Sequence, residues 1–265
     1  MTLYNREIRS NLKVFLIWTL VIILINIMFL AMFPSYADQA DEINEMMKNF
    51  PEEMIKAIDA ESTDFSDPID YLAYMFQYIT LAAAIMAMIM GISIISKEES
   101  EGTIEFLFAK PITKIYIVTN KLLSVLTQIV VFPILFTISS YMTIESVVDK
   151  EYNVKALILL GVSLFFIQLI FAVFGFIISI FVTKVKKTTP LSLGIVFVMF
   201  FISMMSKINE SMESLKHITP FRYFEPTAIV ENTKLNGSYI TLTIVISILC
   251  LTGTYILYNR KDIKG

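Results

Sequence analysis

The sequence is poor in the residue types on which most catalytic and metal sites depend. Its 265 residues include one cysteine, Cys250, within an apolar run, and one histidine, His217. A single cysteine excludes a disulfide within the chain and a cysteine-cluster metal site, and a single histidine excludes paired-histidine metal motifs. None of the eight glycines falls in a G-x-x-x-x-G-K-[ST] loop. The chain therefore lacks the sequence of a phosphate loop that would bind ATP.

Charged residues are also scarce. They make up 17% of the chain, against roughly 25% in an ordinary soluble domain, while 56% of the residues are hydrophobic. No acidic or basic residue interrupts the middle of the long apolar runs, although proton- and ion-driven transporters usually need ionisable groups at that depth. No H-E-x-x-H or G-x-S-x-G arrangement lies within those runs. The composition indicates a polytopic membrane protein with neither a catalytic site nor an energy source of its own.

Six apolar runs are long enough to cross a bilayer, because about 20 helical residues span a hydrocarbon core of roughly 30 Å. The predicted fold class is all-α, a single transmembrane domain over residues 1–265. The predicted spans are residues 14–33, 71–95, 115–144, 156–182, 190–206 and 239–258. The internal amides are interpreted as packing contacts, with a polar substrate path as the alternative; they are Asn26, Gln77, Gln128 and Gln168.

The distribution of Lys and Arg predicts the orientation of these spans. The two termini, residues 96–121 and the loop at 183–189 carry 13 of the 21 Lys and Arg residues, whereas the other side carries 18 of the 24 acids. Positively charged segments remain in the cytoplasm, and acids contribute little to orientation. Both termini and residues 96–121 are therefore predicted to be cytoplasmic.

Two connections that are predicted to lie on the outer side contain apolar or aromatic residues in a pattern that indicates local structure. The outer loop, residues 34–70, is acidic and repeats apolar residues at helical spacing, which predicts one or two short amphipathic helices at the interface. The outer connector, residues 207–238, combines aromatic residues with two prolines, which indicates a partly re-entrant or interfacial element. A substrate lid in the loop, and substrate contacts by Arg222 and His217 in the connector, are the alternatives.

Residues 96–121 form the only strongly polar segment between two apolar runs that also has clear helix boundaries. Ser96 followed three residues later by Glu99 is a capping box, which predicts that a helix begins at Ser96. Pro111 should end that helix, and Thr113 should cap the next one. The predicted short helix covers residues 97–110.

This predicted helix has two distinct faces. Glu98, Glu101 and Glu105 fall on one side, with Gly102 among them, and apolar side chains such as Leu107 fall on the other. A connector helix lying on the membrane surface is one interpretation. The other is a docking helix whose acidic face meets a soluble partner, because an anionic cytoplasmic leaflet would repel that face.

The same segment resembles the loop between the second and third spanning helices of type-2 ATP-binding-cassette (ABC) exporter permeases. The resemblance rests on Glu98, Glu99, Gly102, Thr103, Leu107, Ala109, Pro111, Ile112, Thr113, Lys114 and Lys121. A weaker resemblance covers residues 218–224, which are similar to the outer connector before the last helix in that family.

The resemblance implies that residues 97–110 are a coupling helix, which lies in a groove of an ATP-hydrolysing subunit. The residues expected to contact that subunit are Glu98, Glu99, Glu101, Gly102, Thr103, Glu105, Phe106, Leu107 and Pro111. It also implies two permease subunits with two ATPases, and ATP bound only by the partner, so that the chain itself needs no cofactor.

The expected function is that of a permease subunit of an ABC exporter in a prokaryotic cell membrane, with no nucleic-acid partner. Spans rich in Met and Phe favour a hydrophobic or amphipathic substrate, such as a peptide, a lipid-like molecule or an antibiotic. An ABC-driven ion exporter, a non-transporting scaffold or sensor, and an intramembrane enzyme are the alternatives.

Overall fold

Helices follow the apolar runs of the sequence. The computed structural model describes residues 3–47, 49–57, 60, 63–100, 102, 112–182, 184–208 and 210–260, and within these ranges it contains helices and no strand. In chain order the α-helices are α1 (Leu3–Asp38), α2 (Ala40–Met47), α3 (Glu52–Ala57), α4 (Pro68–Ser100), α5 (Lys114–Val147), α6 (Val154–Ser179), α7 (Thr188–Ile208), α8 (Pro226–Asn232) and α9 (Gly237–Arg260). The predicted all-α class is confirmed.

Six of these helices are long and apolar enough to cross a membrane: α1, α4, α5, α6, α7 and α9. The predicted number of spans is therefore confirmed. Helix α1 has 36 residues and α5 has 34, lengths of about 54 and 51 Å at the α-helical rise. Both exceed the roughly 30 Å of a hydrocarbon core, because helices can continue into the polar surroundings once their backbone hydrogen bonds are made internally.

The predicted helix start at Ser96 is wrong. Helix α4 continues without a break to Ser100, and the Ser96 hydroxyl donates a hydrogen bond to the carbonyl of Ile92 at 2.9 Å. The preceding turn of helix already supplies a backbone partner, so the serine bonds back along the helix instead of capping a new one. The rest of the predicted coupling helix, apart from Gly102, lies outside the described residues.

The predicted cap at Thr113 is confirmed. Its side chain accepts a hydrogen bond from the backbone N–H of Tyr116 at 3.2 Å, and α5 begins at the next residue. This hydroxyl satisfies one of the backbone donors that a helix leaves free at its first turn.

Both the outer loop and the outer connector contain short helices. Helices α2 and α3 lie within the outer loop, as the apolar spacing predicted. The outer connector contains the 3-10 helices Glu210–His217 and Pro220–Arg222, followed by α8. Its buried aromatics enter the bundle: the Phe221 ring lies 5.2 Å from that of Phe171 in α6, and Phe224 stacks on Phe166 at 5.4 Å.

The bundle has two ends with different contacts. At one end Lys97 of α4 bonds to Ser10 of α1, and Lys114 of α5 donates to the carbonyl of Asn259 in α9 at 3.1 Å. We call this the Glu98 end. At the other, Asn153 before α6 donates to Thr233 of the connector at 3.0 Å. We call this the connector end.

Helices α4 and α6 form the centre of the bundle. In their apolar stretches 78% and 61% of the residues are buried, against 28%, 22% and 17% for α1, α7 and α9. The two central helices touch through glycines, since a Cβ added at Gly91 would lie 2.3 Å from the Ala172 carbonyl oxygen. A Cβ at Gly175 would lie 2.7 Å from the Met88 carbonyl oxygen. Close approach at small residues is the usual way for helices to pack within a bilayer.

We expect Gly91→Ala to destabilise the purified chain by about 1–3 kcal/mol, because the added methyl group would overlap backbone atoms that cannot move freely. The measurement is the midpoint of thermal unfolding in mild detergent. Gly194→Ala is the matched control, since nothing lies within 4 Å of a Cβ added at that position in α7. An equal effect of both substitutions would contradict the close contact between α4 and α6.

Candidate functional site

A buried cluster of charged side chains joins three helices at the Glu98 end. The ammonium of Lys121 in α5 lies 2.6 Å from the carboxylate oxygens of Glu98 in α4. It also donates to the carbonyl of Ile94 at 2.7 Å and lies 3.3 Å from a carboxylate oxygen of Glu7 in α1. We call Glu7, Glu98 and Lys121 the charge cluster.

All three members of the charge cluster are removed from solvent: Lys121, Glu98 and Glu7 are 0%, 4% and 3% exposed. An unpaired charge at such a position would be costly, whereas these charges face one another and the ammonium also bonds to a carbonyl. Two carboxylates face one ammonium, so the cluster itself carries one excess negative charge when all three groups are ionised. The exposed guanidinium of Arg6 acts on Glu98 from outside the cluster.

Helical periodicity explains why these side chains meet. In α5 the residues four before and four after Lys121 are Ile117 and Val125, and both are buried. Lys121 therefore lies on the inward face of its helix. In α4 Glu98 follows buried Ile94 by four residues, so its side chain also faces inward.

The position of Lys121 along α5 limits the cost of burying it. It lies seven residues after the first residue of the helix, about 10 Å along its axis. Because α5 is about 20 Å longer than a hydrocarbon core, this distance places the cluster near one boundary of the membrane rather than at its centre.

Glu98 is the only predicted contact residue whose side chain is described. Its carboxylate faces Lys121 inside the bundle in this structure. The backbone of Glu99 continues α4, and Gly102 lies in a turn with φ of +65°. Glu101, Thr103, Glu105, Phe106, Leu107 and Pro111 lie outside the described residues. Contact of this segment with a partner stays a prediction.

The charge cluster was not anticipated from the sequence, although signals for it were present. Glu98 and Lys121 both belong to the pattern that carries the family resemblance. The apolar residues four positions to either side of Lys121 indicate that it shares the inward face of its helix. No sequence signal identified Glu7 as a third member, because its distance along the chain from both partners leaves their contact to tertiary packing.

The four internal amides differ in their contacts, and Gln77 of α4 donates a hydrogen bond to the carbonyl of Tyr74 in its own helix at 3.2 Å. Asn26 of α1 donates to the hydroxyl of Ser140 in α5 at 2.8 Å, which confirms it as a contact between helices. Gln128 and Gln168 bury their amide nitrogen and oxygen atoms with no hydrogen-bond partner among the described residues. Both side chains are buried, and their interpretation as packing contacts stays a prediction.

Six apolar helices in one bundle, with a polar segment between the second and the third, define a multi-pass membrane protein. The chain belongs to the ABC-2 transporter family, because the family model described as "ABC-2 family transporter protein" matches residues 1–263. No curated protein matches the chain at a significant level. Members of this family form the membrane subunit of an ABC transporter and normally work with a separate ATP-binding subunit. The resemblance found in the sequence is thereby confirmed.

The charge count of the cluster predicts an order of stabilities. Lys121→Gln removes its only cation and leaves two buried carboxylates facing each other, so we expect a loss of about 3–5 kcal/mol. Glu98→Gln leaves one carboxylate beside one ammonium and should cost less. Thermal unfolding of the purified variants measures both.

Lys155→Gln is the control for these variants, because Lys155 is exposed at the start of α6. It should leave the unfolding midpoint unchanged. If Glu98→Gln were as damaging as Lys121→Gln, the excess of negative charge in the cluster would be wrong.

Proposed function

We propose that the chain is the permease subunit of an ABC exporter that moves a hydrophobic or amphipathic molecule out of a prokaryotic cell. A separate subunit hydrolyses ATP and contacts residues 97–110, which begin in the last turn of α4, from the cytoplasm. Membership of the ABC-2 family supports the subunit assignment. The excess of Lys and Arg at the Glu98 end supports a cytoplasmic location for that end.

The observation that carries the proposal is the buried ion pair between Glu98 and Lys121. Glu98 lies at the start of the predicted docking segment, at the end of α4, and Lys121 lies beyond the segment, near the start of α5. A displacement of the segment therefore acts on both helices together, because moving one without the other would separate two buried charges. Glu7 extends the connection to α1.

Through this ion pair, movements of the ATP-binding subunits that accompany ATP binding and hydrolysis would reach the membrane helices. Closing and opening of the ATP-binding subunits would displace the segment, and α4 would transmit that displacement through the centre of the bundle. Nucleotide can favour an outward- or inward-facing state only if the two states bind it with different affinity. The effect of nucleotide on these two states must therefore reach the membrane helices through the contact between the ATP-binding subunit and this segment.

The proposed complex contains two permease subunits. Helices α1, α7 and α9 bury less than a third of their apolar stretches within this chain, so much of their surface is free to meet lipid or a second subunit. Charged side chains are absent from the middle of the described spans, and the charge cluster lies near one boundary. An apolar interior of this kind favours an amphipathic substrate over a sugar.

Co-expression of the tagged chain with its neighbouring gene products tests the assignment, with mass spectrometry of the proteins that co-purify. We expect an ATPase with a phosphate loop. Reversing the three acids Glu99, Glu101 and Glu105 to lysine should abolish its co-purification. Glu151→Lys, an exposed acid at the connector end, should have no effect. Retention of the ATPase at full strength by the triple variant would contradict docking at this segment.

Glu98→Gln distinguishes docking of the ATP-binding subunit from transmission of its movement to the membrane helices. Because this carboxylate faces inward, its loss should leave co-purification of the ATPase intact while reducing substrate-stimulated ATP hydrolysis several-fold. Loss of co-purification together with hydrolysis would instead assign Glu98 to the docking surface.

Gly102 tests the geometry of the segment. Its φ of +65° is a conformation that glycine adopts freely, asparagine tolerates and alanine disfavours by roughly 1 kcal/mol, and nothing lies within 4 Å of an added Cβ. We expect Gly102→Ala to weaken co-purification of the ATPase more than Gly102→Asn. If the larger asparagine were the more damaging, a close approach by the partner would be the constraint on this residue.

A further inference from the structure

A cavity of about 430 Å³ lies at the Glu98 end, where α1, α4 and the start of α7 meet. Each of these helices contributes a polar side chain to its walls: Ser10 from α1, Lys97 from α4 and Thr188 from α7. Lys97 directly precedes Glu98, and Thr188 is the first residue of α7. The polar part of the cavity therefore lies near the same boundary of the membrane as the charge cluster.

The walls of the cavity change from polar to apolar along the two longer helices. In α1, Trp18 lines the cavity eight residues after Ser10, and in α4, Ile89 lines it eight residues before Lys97. Eight residues of α-helix cover about 12 Å. Because α1 and α4 run antiparallel, both apolar side chains lie deeper in the bundle than the polar ones. The cavity thus extends from the membrane boundary into the hydrocarbon region.

The polar side chains retain hydrogen-bonding capacity for a ligand. The Lys97 ammonium donates to the Ser10 hydroxyl, which keeps its own hydrogen, and the ammonium has further N–H groups. Thr188 is 2% exposed, and its hydroxyl has no hydrogen-bond partner in the described part of the chain. A buried hydroxyl without a partner costs free energy, and a ligand oxygen that accepts from it would remove that cost.

Hydrogen-bond donors at the membrane boundary, with an apolar wall beneath them, match one class of ligand. The phosphodiester of a phospholipid has oxygens that accept from hydroxyl and ammonium groups, and its negative charge favours the ammonium of Lys97. The acyl chains attached to it occupy the hydrocarbon region, where Trp18 and Ile89 lie. A small soluble anion would leave the apolar part of the cavity unfilled.

We propose that this cavity binds a membrane phospholipid. Its phosphate accepts hydrogen bonds from Ser10, Lys97 and Thr188, and an acyl chain packs against Trp18 and Ile89. A lipid in this position contacts α1, α4 and α7 together. The assignment of the Glu98 end to the cytoplasmic leaflet rests on the proposed function. The binding itself does not, so it is tested on the full chain without an ATP-binding subunit, and either proposal can fail without the other.

Native mass spectrometry of the purified chain in mild detergent provides the first test. Phosphatidylglycerol and diacylglycerol with identical acyl chains are added separately, and the retained lipid is counted. Because diacylglycerol lacks the phosphate headgroup, we expect preferential retention of phosphatidylglycerol. Lys97→Gln should lower the affinity for phosphatidylglycerol about fivefold, which is the usual contribution of one lysine near an anionic lipid.

Thr188→Val distinguishes a role in lipid binding from a role in the fold. Valine has nearly the shape of threonine and removes a buried hydroxyl that has no partner, so the lipid-free chain should unfold at the same temperature or a higher one. The affinity for phosphatidylglycerol should fall roughly tenfold, because a hydrogen bond to a charged group is lost. A purely structural role of Thr188 would not combine unchanged stability with weaker lipid binding.

Each cavity variant has a matched control. Ser192→Ala is the control for Thr188→Val, because the Ser192 hydroxyl, one turn further along α7, is also buried without a partner among the described residues but does not line the cavity. Lys155→Gln is the control for Lys97→Gln, because it removes an exposed lysine at the connector end. Circular dichroism and gel filtration establish that each variant is folded before its lipid binding is compared.

Retention of phosphatidylglycerol that is weakened in both cavity variants and kept in both controls supports the proposal. Equal retention of phosphatidylglycerol and diacylglycerol, or equal losses in the cavity variants and their controls, would overturn it. Titration calorimetry with inorganic phosphate tests the remaining alternative. Binding of inorganic phosphate without preferential retention of phosphatidylglycerol would assign the cavity to a free anion and would also overturn the proposal.

Discussion

The pairing of the Lys121 ammonium with two buried carboxylates is the interaction on which the arrangement of the Glu98 end depends. It fixes the register of α5 against α4, because a shift of either helix would leave a charge without a partner in surroundings that solvate it poorly. The same ammonium bonds to the Ile94 carbonyl, so the contact also fixes the backbone of α4. A bundle held mainly by apolar packing would allow such helices to slide, and the buried ion pair restricts that freedom.

Helix α4 connects this interaction to the rest of the molecule. It is the most buried of the six long helices, and its glycine contact with α6 leaves no space for a side chain between the two backbones. Near its first residues, Tyr71 donates a hydrogen bond to the Phe29 carbonyl of α1 at 3.1 Å. A closely packed central helix transmits a displacement along its length more readily than a loosely packed one. The charge cluster therefore lies at one end of the most closely packed helix of the bundle.

Much of the fold followed from the sequence because its strongest signals are local. Apolar runs of sufficient length predicted six spans, and Thr113 capped α5 as expected, since both features depend on residues close together in the chain. The helix boundary predicted at Ser96 was wrong for a physical reason. A capping box indicates a helix start only where the preceding residues leave the backbone donors free, and here the helix from Pro68 had already satisfied them.

The candidate site was less accessible to sequence reasoning. Glu98, Glu101 and Glu105 were interpreted as one acidic face, yet the side chain of Glu98 faces the interior. The sequence by itself determined the class of protein, the number of spans and the segment that carries the family pattern, because these depend on hydrophobicity and short-range spacing. Only the tertiary structure decided that Glu7, Glu98 and Lys121 meet, because their contact depends on how distant helices pack together.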